Sequence, residues 1–484
     1  MNSAKDIGIT AKKSTNFSEW YTQVVLKTQL ADYAPVKGFM VLRPYGYSIW
    51  ESIKTVLDKR FKETGHQNSF LPILIPEKLL QREEEHFEGF SSEVFWVTNA
   101  GNHKLPEKLA LRPTSETLAY TIFHKWIASY RDLPMKINFW NSALRAEIKA
   151  TKPFIRTSEF LWQEGHTVHT TEEEAEREVT LVLEIYQDLI ENYLAIPSLR
   201  GFKTEKEKFV GAKYTMTLEG LMADGRALQM GTSHHLGQNF SKPFEIKFLG
   251  KDGIQHFAWQ TSWGISWRLI GALIMVHGDD KGLILPPKIA PIQVIIVPIF
   301  KEKDEELLKS KANEIACELQ KSEIRVHIDD REEYTAGWKF NDWETKGVPL
   351  RINIGPRDIE KSQAELIRRD TGEKWLVKVD ELTECVISVL NDIQDNLLLR
   401  ARMRLDGNIT RTTNYDTLKS ILDENGGFVL TGWCGDQQCE CMIKEETGAD
   451  IRAIPFEGQE MSKHTICIYC HKQAMKIALI ARAY

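Results

Sequence analysis

Hydrophobic and polar residues follow two different periods in the N-terminal part of the chain. Apolar residues recur every three or four positions over 47–63 and stop near Gly65, which predicts an amphipathic helix. The stretches 172–194, which is rich in acidic residues, and 267–276 predict two further helices. Runs with a period of two, "VFWVT", "INFWNSALRAE" and "EFLWQEGHTVH", predict antiparallel strands, and "SFLPILIP" reads as a strand interrupted at Pro72.

The pattern changes after the segment "LPPKIAP" at residues 285–291, whose clustered prolines can continue neither a helix nor a central strand. Beyond it the apolar runs "IQVIIVPI", "IRVHID", "LRINI" and "KWLVKV" alternate with helical patterns, as in βαβ units that build a partly parallel sheet. A helical pattern over 380–404 ends in the basic stretch "RARMR". We therefore expect three domains, at 1–287, 288–385 and 386–484.

Composition narrows the class of protein. A chain of 484 residues is too long for one hydrophobic core. The net charge of −6 means that a nucleic-acid partner must meet local basic patches rather than a positive overall field. No uncharged apolar run is long enough to cross a bilayer, and "MNSAKDIGITAKKS" lacks the apolar core of a signal peptide. We expect a cytoplasmic protein that makes no use of a membrane.

Five of the seven cysteines follow residue 433, which favours a metal site over a disulfide framework. Cys434 and Cys439 enclose four residues, and Cys467 and Cys470 enclose two, a spacing that suits tetrahedral zinc with thiolate ligands. With all four ligands supplied by protein, the zinc would be structural. The alternative is a set of free thiols in a reducing compartment.

The densest chemistry lies in the predicted hairpin that ends with "RTSEFLWQEGHTVH". Arg145 and Glu147 are two positions apart on the first strand and are expected to share a face, with Arg156 and Phe160 on the returning segment. Arginines suit phosphate, an aromatic ring can stack on a flat base, and a carboxylate can accept from an exocyclic amine. The alternative is a set of surface ion pairs on a sheet.

The returning strand and three more segments add polar groups. On the returning strand, Trp162, Glu164 and His166 follow a period of two and should share a face. Thr114 and Glu116 in "LRPTSETLAY" precede a helix, where they could cap its N-terminus or hold an ammonium group. The run "ALQMGTSHHLGQNF" has more polar side chains than a buried strand tolerates without a ligand, and Arg268 opens an apolar helix where it could reach a phosphate.

These segments together resemble the signature motifs of class II aminoacyl-tRNA synthetases, and among them the prolyl-tRNA synthetases of archaeal and eukaryotic type. The resemblance implies an α+β fold: a catalytic antiparallel sheet flanked by helices, an α/β anticodon-binding domain, and a small C-terminal zinc-binding-like α+β domain. It implies a homodimer whose interface lies around Pro72. The implied reaction activates L-proline with ATP and Mg²⁺ to prolyl-adenylate and pyrophosphate, then transfers proline to the 3′ end of tRNA(Pro).

The resemblance also implies roles for particular residues. Arg145 would hold the α-phosphate and the proline carboxylate, Glu147 and Phe160 the adenine, and Arg156 and Arg268 the outer phosphates. Gln229 and Thr232 would lie near the nucleotide or its magnesium. The implied proline pocket comprises Thr114, Glu116, Trp162, Glu164, His166, Phe209 and His234.

Outside the catalytic domain, Glu344, Arg351 and Arg357 would recognise the two guanines of the proline anticodon, although ordinary surface charges on a sheet edge explain them equally well. The same four cysteines would bind zinc. One departure from the family pattern is Trp267, where a small hydroxyl residue is usual before the last arginine. We expect its ring to pack away from the nucleotide.

Two other functions fit parts of the pattern. A non-catalytic synthetase-like paralogue that binds RNA would have no need to keep Arg145, Glu147, Arg156 and Arg268 together. A class II enzyme for another small amino acid remains open, although a threonine enzyme would want a zinc site in its amino-acid pocket. The interval between His166 and Thr261 is already occupied by a helix and the "TSHH" strand, so no editing insertion, and no hydrolysis of mischarged alanyl-tRNA, is expected.

Overall fold

The structure, a computed structural model, describes residues 8–86, 94–146, 150–299 and 305–484. It is a mixed α+β molecule built around an eleven-stranded sheet, with a separate five-stranded sheet beside it. Within the described ranges, no helix has the length and apolar character needed to span a membrane.

The described residues of the N-terminal part form six α-helices and fourteen strands. The helices are α1 (Phe17–Lys27), α2 (Pro44–Glu63), α3 (Glu77–His86), α4 (Glu116–Trp126), α5 (Glu172–Asp188) and α6 (Arg268–His277). The strands are β1 (Ala31–Tyr33), β2 (Met40–Leu42), β3 (Gln67–Ser69), β4 (Leu74–Pro76), β5 (Trp96–Ala100), β6 (His103–Leu111), β7 (Met135–Leu144), β8 (Glu159–His169), β9 (Leu199–Phe202), β10 (Tyr214–Leu221), β11 (Ala227–Gly237), β12 (Lys247–Leu249), β13 (Gln255–Phe257) and β14 (Trp259–Ser266).

Six antiparallel strands form the centre of the large sheet, in the order β9-β10-β11-β14-β8-β7, and β3 joins the far edge in parallel. One face of this sheet is covered by α5 and α2, whose apolar sides share a core with Trp263 and the helix α6. The other face carries polar side chains around a cavity. This division follows from the period of two along each strand, which sends alternate residues to opposite faces.

Strand β8 shows how the sequence makes the division. Gln163 faces the covering layer, where its amide group donates to Asn138 Oδ1 at 2.7 Å. Gly165 lies under the ring of Trp263, and a Cβ placed there would come within about 2.0 Å of that ring. A glycine is therefore required where the tryptophan crosses the strand. Trp162, Glu164 and His166 point the other way.

The second part is a five-stranded sheet in the order β16-β15-β17-β18-β19. Strands β15 and β16, and β15 and β17, are parallel, and the remaining pairs are antiparallel, which confirms the predicted partly parallel sheet. Its elements are β15 (Val294–Pro298), α7 (Glu305–Lys321), β16 (Val326–Ile328), α8 (Ala336–Thr345), β17 (Leu350–Ile354), α9 (Pro356–Glu360), β18 (Gln363–Arg368) and β19 (Lys374–Lys378).

The C-terminal part extends the large sheet instead of forming a separate one. Its strands continue the order β20-β21-β23-β22, and β22 pairs with β9 of the central sheet through Ile454 opposite Phe202. The elements are α10 (Leu382–Gly407), β20 (Ile409–Arg411), α11 (Tyr415–Glu424), β21 (Phe428–Trp433), α12 (Gln437–Thr447), β22 (Asp450–Pro455) and β23 (Lys476–Ala481). Sheet hydrogen bonds therefore run from the cysteine-rich part into the centre of the molecule.

Several predicted elements need correction. The run "SFLPILIP" forms two short strands in different sheets, β3 and β4, because Pro72 cannot donate a ladder hydrogen bond. The α-helical geometry predicted over 172–194 ends at Asp188 and passes into a π-helical turn, Leu189–Tyr193. In the basic stretch "RARMR", Arg402 pairs with Glu191 and Arg404 donates to Val276 O.

Candidate active site

A cavity of about 280 Å³ opens on the polar face of the central sheet. It is built from β8, β10, β11 and β14, the start of α4 and the start of α6. Twelve of the residues predicted for nucleotide or proline binding line it: Thr114, Glu116, Arg145, Phe160, Trp162, Glu164, His166, Phe209, Gln229, Thr232, His234 and Arg268.

One end of the cavity is acidic and buried. Glu164 accepts from the backbone N–H of Ser115 at 3.2 Å and from Asn141 Nδ2 at 2.8 Å, and the Ser115 hydroxyl also donates to it. Glu116 accepts from the Thr114 hydroxyl. Ser115 is the N-cap of α4, yet its side chain makes no capping bond. The hydroxyl and carboxylate groups of this segment are therefore directed to the cavity rather than to capping.

His166 completes the acidic end. Its Nε2 lies 3.5 Å from Glu164 Oε2, and its Nδ1 lies 3.1 Å from the hydroxyl of Tyr120. Burial opposes the charged forms of both His166 and Glu164. The hydrogen bond and charge attraction between them outweigh burial, so the pKa of His166 is raised and that of Glu164 is lowered. The two residues form a buried ion pair.

Glu116 behaves differently from Glu164. Burial raises the pKa of Glu116, and the negative charge of Glu164 adds to the rise although His166 opposes it. A second ionised carboxylate is therefore costly at this end unless another cation arrives. The arrangement favours a ligand that brings a positive charge to Glu116.

The side wall is aromatic and uncharged. The rings of Phe209 and His234 lie with centroids 4.8 Å apart. Both ring nitrogens of His234 are engaged, by the Thr215 hydroxyl at 2.9 Å and the Thr232 hydroxyl at 3.1 Å. Burial, with a contribution from the His166 charge, lowers the pKa of His234 to about 3, so the ring is neutral at physiological pH. This wall suits a compact apolar ring.

The opposite end is cationic. The guanidinium of Arg145 lies 5.3 Å from the ring centroid of Phe160, and Arg268 Nη1 donates to the backbone oxygen of Gln229 at 3.4 Å. Burial, followed by the positive charges of Arg145 and Arg452, lowers the pKa of Arg268 to about 10. Among the described residues, no carboxylate forms an ion pair with Arg145, Arg156 or Arg268. These cations are arranged for an anionic ligand.

Of the other two predicted residues, one lies at the border of the cavity and one falls outside the described residues. Arg156 is exposed and lines an adjoining cavity of about 190 Å³ together with Arg145, Phe160 and Arg268, so it borders the site from the outer side. Glu147 lies outside the described residues. The prediction that Arg145 belongs to the strand is wrong, because β7 ends at Leu144 and Arg145 opens the loop that follows.

The indole ring of Trp267 packs inward, as expected. It is buried in the core, 5.7 Å and edge-on from the ring of Phe154. The bulky residue therefore leaves Arg268 at the cavity.

Sequence reasoning missed five polar residues of the cavity wall: Lys203, Glu207, Thr215, Ser262 and Ser266. Lys203 and Glu207 belong to "GFKTEKEKFV", where a charge-rich stretch reads as an ordinary exposed loop. The one available signal was Phe209, which the resemblance had already placed in the pocket two positions after Glu207.

The predicted anticodon residues lie on the five-stranded sheet and the helices beside it. Glu344, near the end of α8, pairs with Lys281 at 2.8 Å. Arg351, on β17, stacks its guanidinium 4.1 Å from the ring of Phe340 and is half-buried. Arg357 lies in the short helix α9 that follows β17. Glu344 and Arg351 are thus partly engaged within the protein.

The four predicted cysteine ligands converge. The Sγ atoms of Cys434, Cys439, Cys467 and Cys470 all lie within 4.8 Å of one another. The seven cysteines, all in the described part of the chain, are free thiols. Burial and the neighbouring sulfurs raise the pKa of Cys439, so a cation would be needed to make all four thiolates at once. The donor set and its spacing fit tetrahedral zinc.

Three protein families match successive parts of the chain. Residues 95–277 match the family described as the tRNA synthetase class II core domain (G, H, P, S and T). Residues 293–388 match the anticodon binding domain, and residues 415–484 match the prolyl-tRNA synthetase C-terminal family.

Similar proteins cover almost the whole chain. A proline–tRNA ligase from Cenarchaeum symbiosum is 59% identical over 99% of this chain and 100% of its own. One from Natranaerobius thermophilus is 52% identical over 98% of this chain and 97% of its own. The crystal structure of prolyl-tRNA synthetase from Cryptosporidium parvum, complexed with halofuginone and AMPPNP, superposes with a TM-score of 0.94 at 45% identity, covering 99% of this chain and 100% of that one.

The central antiparallel sheet, the acidic and cationic ends of its cavity and the appended five-stranded sheet define a class II aminoacyl-tRNA synthetase. The relatives that match nearly the whole chain at this level of identity are proline–tRNA ligases. The chain belongs to the prolyl-tRNA synthetase family, and its activity is the ligation of proline to tRNA.

Proposed function

We propose that the cavity binds L-proline at its acidic end and ATP at its cationic end, and that the two react between them. The observation that carries the proposal is the separation of charge along one cavity, with Glu116, Glu164 and His166 at one end and Arg145 and Arg268 at the other. An amino acid has an ammonium and a carboxylate, and a nucleotide has phosphates. The order of charges along the cavity matches the order in which these groups must meet.

Proline fits the acidic end in three ways. Its secondary ammonium would bind Glu116 and the Thr114 hydroxyl, where a cation relieves the repulsion between two carboxylates. The compact ring would pack against Trp162, Phe209 and the neutral ring of His234. Arg145 would hold the proline carboxylate.

ATP would occupy the cationic end. Phe160 would stack on the adenine, with Glu147 accepting from its amino group. Arg145 would bind the α-phosphate, and Arg156 and Arg268 the outer phosphates. Gln229 and Thr232 line the cavity beside Arg268 and offer the oxygen ligands that Mg²⁺ prefers. Bound Mg²⁺ would neutralise part of the phosphate charge.

Catalysis would come from placement rather than from a protein nucleophile. Attack of the proline carboxylate on the α-phosphorus forms prolyl-adenylate and releases pyrophosphate, and negative charge builds on the α-phosphate during the step. Arg145 and Arg268 are held at that point before the reaction by Phe160 and by the backbone of Gln229. The 3′ end of tRNA(Pro) would then accept the proline.

We propose the division into a catalytic domain at 1–287, an anticodon-binding domain at 288–385 and a C-terminal zinc-binding domain at 386–484, which the family matches support. Glu344, Arg351 and Arg357 would contact the anticodon guanines of tRNA(Pro). Zn²⁺ held by Cys434, Cys439, Cys467 and Cys470 would have a structural role, since all four ligands come from the protein.

A homodimer is supported by apolar side chains exposed around Pro72: Phe70 is 81% exposed, and Ile73 and Leu74 are exposed at 39% and 36%. A cytoplasmic location would keep the four clustered thiols reduced and available to zinc.

An ATP–pyrophosphate exchange assay with each amino acid in turn tests the proposal. We expect exchange with L-proline and Mg²⁺, and little with threonine, glycine or histidine. Arg268→Lys and Arg145→Lys should each lower kcat by about a hundredfold or more, the scale for loss of a charge-stabilising donor. The proposal would be contradicted if no amino acid supported exchange, or if glycine supported exchange as well as proline does.

A further inference from the structure

A buried charge cluster joins the C-terminal part to the floor of the cavity. Glu219 on β10 has no exposed surface and accepts from Lys203 Nζ at 2.8 Å. It also accepts from Arg452 Nε at 3.1 Å and Nη2 at 2.9 Å, a two-pronged contact. The Thr217 hydroxyl supplies a further bond at 3.0 Å. Arg452 comes from β22, more than two hundred residues away along the chain.

Sheet geometry brings Arg452 to this point. Strand β22 joins the edge of the catalytic sheet at β9, immediately before Lys203. On its other side, the pairing of β22 with β23 shifts register between Ile451 and Ala453, so Arg452 lies at a bulge. Bulges redirect a side chain out of the regular alternation and are frequent beside active sites.

The charges of the cluster act on residues of the cavity. The residues of the cluster are formally two cations, Lys203 and Arg452, and one carboxylate, Glu219; burial lowers the pKa of Lys203, and the charge of Glu219 opposes that shift. Burial opposes ionisation of Glu219, but the charges of Lys203 and Arg452 outweigh it and lower its pKa. The same charges reach Arg268: Arg452 lowers its pKa and Glu219 raises it. In the sheet register, Glu219 lies opposite Gln229 at the nucleotide end of the cavity.

Lys203 is the member of the cluster that reaches the cavity wall. Its ammonium donates to Glu219 Oε1 and to the backbone oxygen of Arg452, both at 2.8 Å. An ammonium has three donors, and the third has no acceptor among the residues that the structure describes. Its side chain is only 3% exposed, so it is fixed in place.

The C-terminal part also contacts Thr204, the residue that follows Lys203. The hydroxyl of Thr204 donates to Glu440 Oε1 on α12 at 2.7 Å, and both residues are buried. Thr204 in turn accepts from the backbone N–H of Glu207 at 3.2 Å, and so orders the segment that carries Glu207 and Phe209 to the cavity. Two contacts from the C-terminal part therefore position three residues of the wall.

We propose that the C-terminal domain completes the active site: Arg452 is a positioning residue that acts through Glu219 to hold Lys203, whose free donor binds an oxygen of the bound nucleotide. The inference rests on the proposed placement of ATP at the cationic end. Arg452 touches no substrate itself. Loss of its guanidinium leaves Glu219 free to draw the Lys203 ammonium away from the cavity.

The experiment compares Arg452→Met, Lys203→Met and the double variant in full-length protein by ATP–pyrophosphate exchange. Each rate is divided by the concentration of active sites, which is measured as the burst of adenylate that the variant forms. The matched control is Arg482→Met, which removes an arginine of the same domain whose side chain donates to Thr447 O, Leu422 O and Asp423 Oδ1. We expect each single variant to raise the KM for ATP by about tenfold to a hundredfold, the scale for misplacing a site group. The KM for proline should change by less than about twofold, and the double variant should be no worse than either single one.

A purely structural role for Arg452 predicts otherwise: fewer active molecules in the burst, with the KM for ATP per active site unchanged, as in Arg482→Met. That result would overturn the inference, and so would additive effects in the double variant. Arg452→Lys should restore part of the ATP affinity, because it returns a cation to Glu219. If Arg452→Met does not fold, Lys203→Met decides, since an unchanged KM for ATP would refute the role of Lys203. Exchange by the wild-type protein separates these results from failure of the proposed function.

Discussion

Two buried carboxylates in one cavity, Glu116 and Glu164, differ in pKa because their neighbours differ. Glu164 is surrounded by donors from Ser115, Asn141 and His166, which hold it ionised. Burial and then the repulsion of Glu164 raise the pKa of Glu116, and the Thr114 hydroxyl only partly opposes this. A ligand that brings a positive charge therefore favours the ionised form of Glu116. This favours a cationic amine at that position over a neutral one.

Proline affinity should depend on pH through Glu116. Because its pKa is raised, the carboxyl binds protons in the empty site, so the KM for proline should fall as pH rises through that pKa. Glu116→Gln should remove this dependence and cost about 1.5–3 kcal/mol of proline binding, the value of a hydrogen bond to a charged group. The pH profile of KM in the exchange assay measures both effects. The surface variant Glu107→Gln should retain the wild-type profile, and a flat profile in the wild type would contradict the assignment.

The elements that carry the cysteines are short and depend on each other. Cys434 follows β21, Cys439 lies on α12, and Cys467 and Cys470 belong to the loop before β23. The small core beneath them contains Trp433, Ile443 and Ile468. The four thiols are free, and burial with the neighbouring sulfurs raises the pKa of Cys439, so a bound cation would favour the thiolate form of the whole set. A metal would therefore tie together elements that local sequence cannot hold.

Zinc content should separate the four ligands from the fifth cysteine nearby. Cys434→Ser and Cys467→Ser should lose bound zinc, measured by atomic absorption, and should expose the C-terminal part to limited proteolysis. Cys441→Ser is the matched control. Cys441 lies on the same helix as Cys439, but its sulfur contacts Lys206 Nζ at 3.6 Å and is outside the four-sulfur cluster. The Cys441→Ser protein should therefore bind as much zinc as the wild type. Zinc retained in Cys434→Ser would contradict the proposed ligand set.

Ion pairs cross the junctions between the parts of the molecule. Arg369, beyond the end of β18, donates to both carboxylate oxygens of Asp279 at 2.8 and 2.6 Å and to the backbone oxygen of Glu344 at 2.7 Å. It thereby connects the end of the catalytic sheet domain to the helix that carries a proposed anticodon contact. Arg452 makes the corresponding connection for the C-terminal part.

Acid should loosen the Arg369 junction. Burial opposes ionisation of Asp279, but the hydrogen bonds and charge of Arg369 outweigh it and lower its pKa. A lowered folded-state pKa gives stability that is present above the unfolded value and is lost as pH falls through the folded one. Limited proteolysis at 285–291 should therefore increase on acidification. Arg369→Met should show that susceptibility already at neutral pH, whereas Lys281→Met, which removes an exposed pair with Glu344, should behave as wild type.

The sequence alone determined most of the elements and most of the site chemistry. Helix α2, the hairpin of β7 and β8, and the parallel β15 and β17 follow from local periodicity, because burial of one face imposes a period on nearby residues. Motifs of contiguous residues, such as the one containing Glu164 and His166, carry their chemistry with them. Their spacing along a strand also fixes the face they share.

Only the tertiary structure decided which distant segments meet. The pairing of β22 with β9, the cluster of Lys203, Glu219 and Arg452, and the end of β7 before Arg145 leave no periodic trace in the sequence. The physical reason is that a buried charge is stabilised by whichever opposite charge lies beside it, and local sequence does not specify that neighbour. The pKa difference between Glu116 and Glu164 has the same origin.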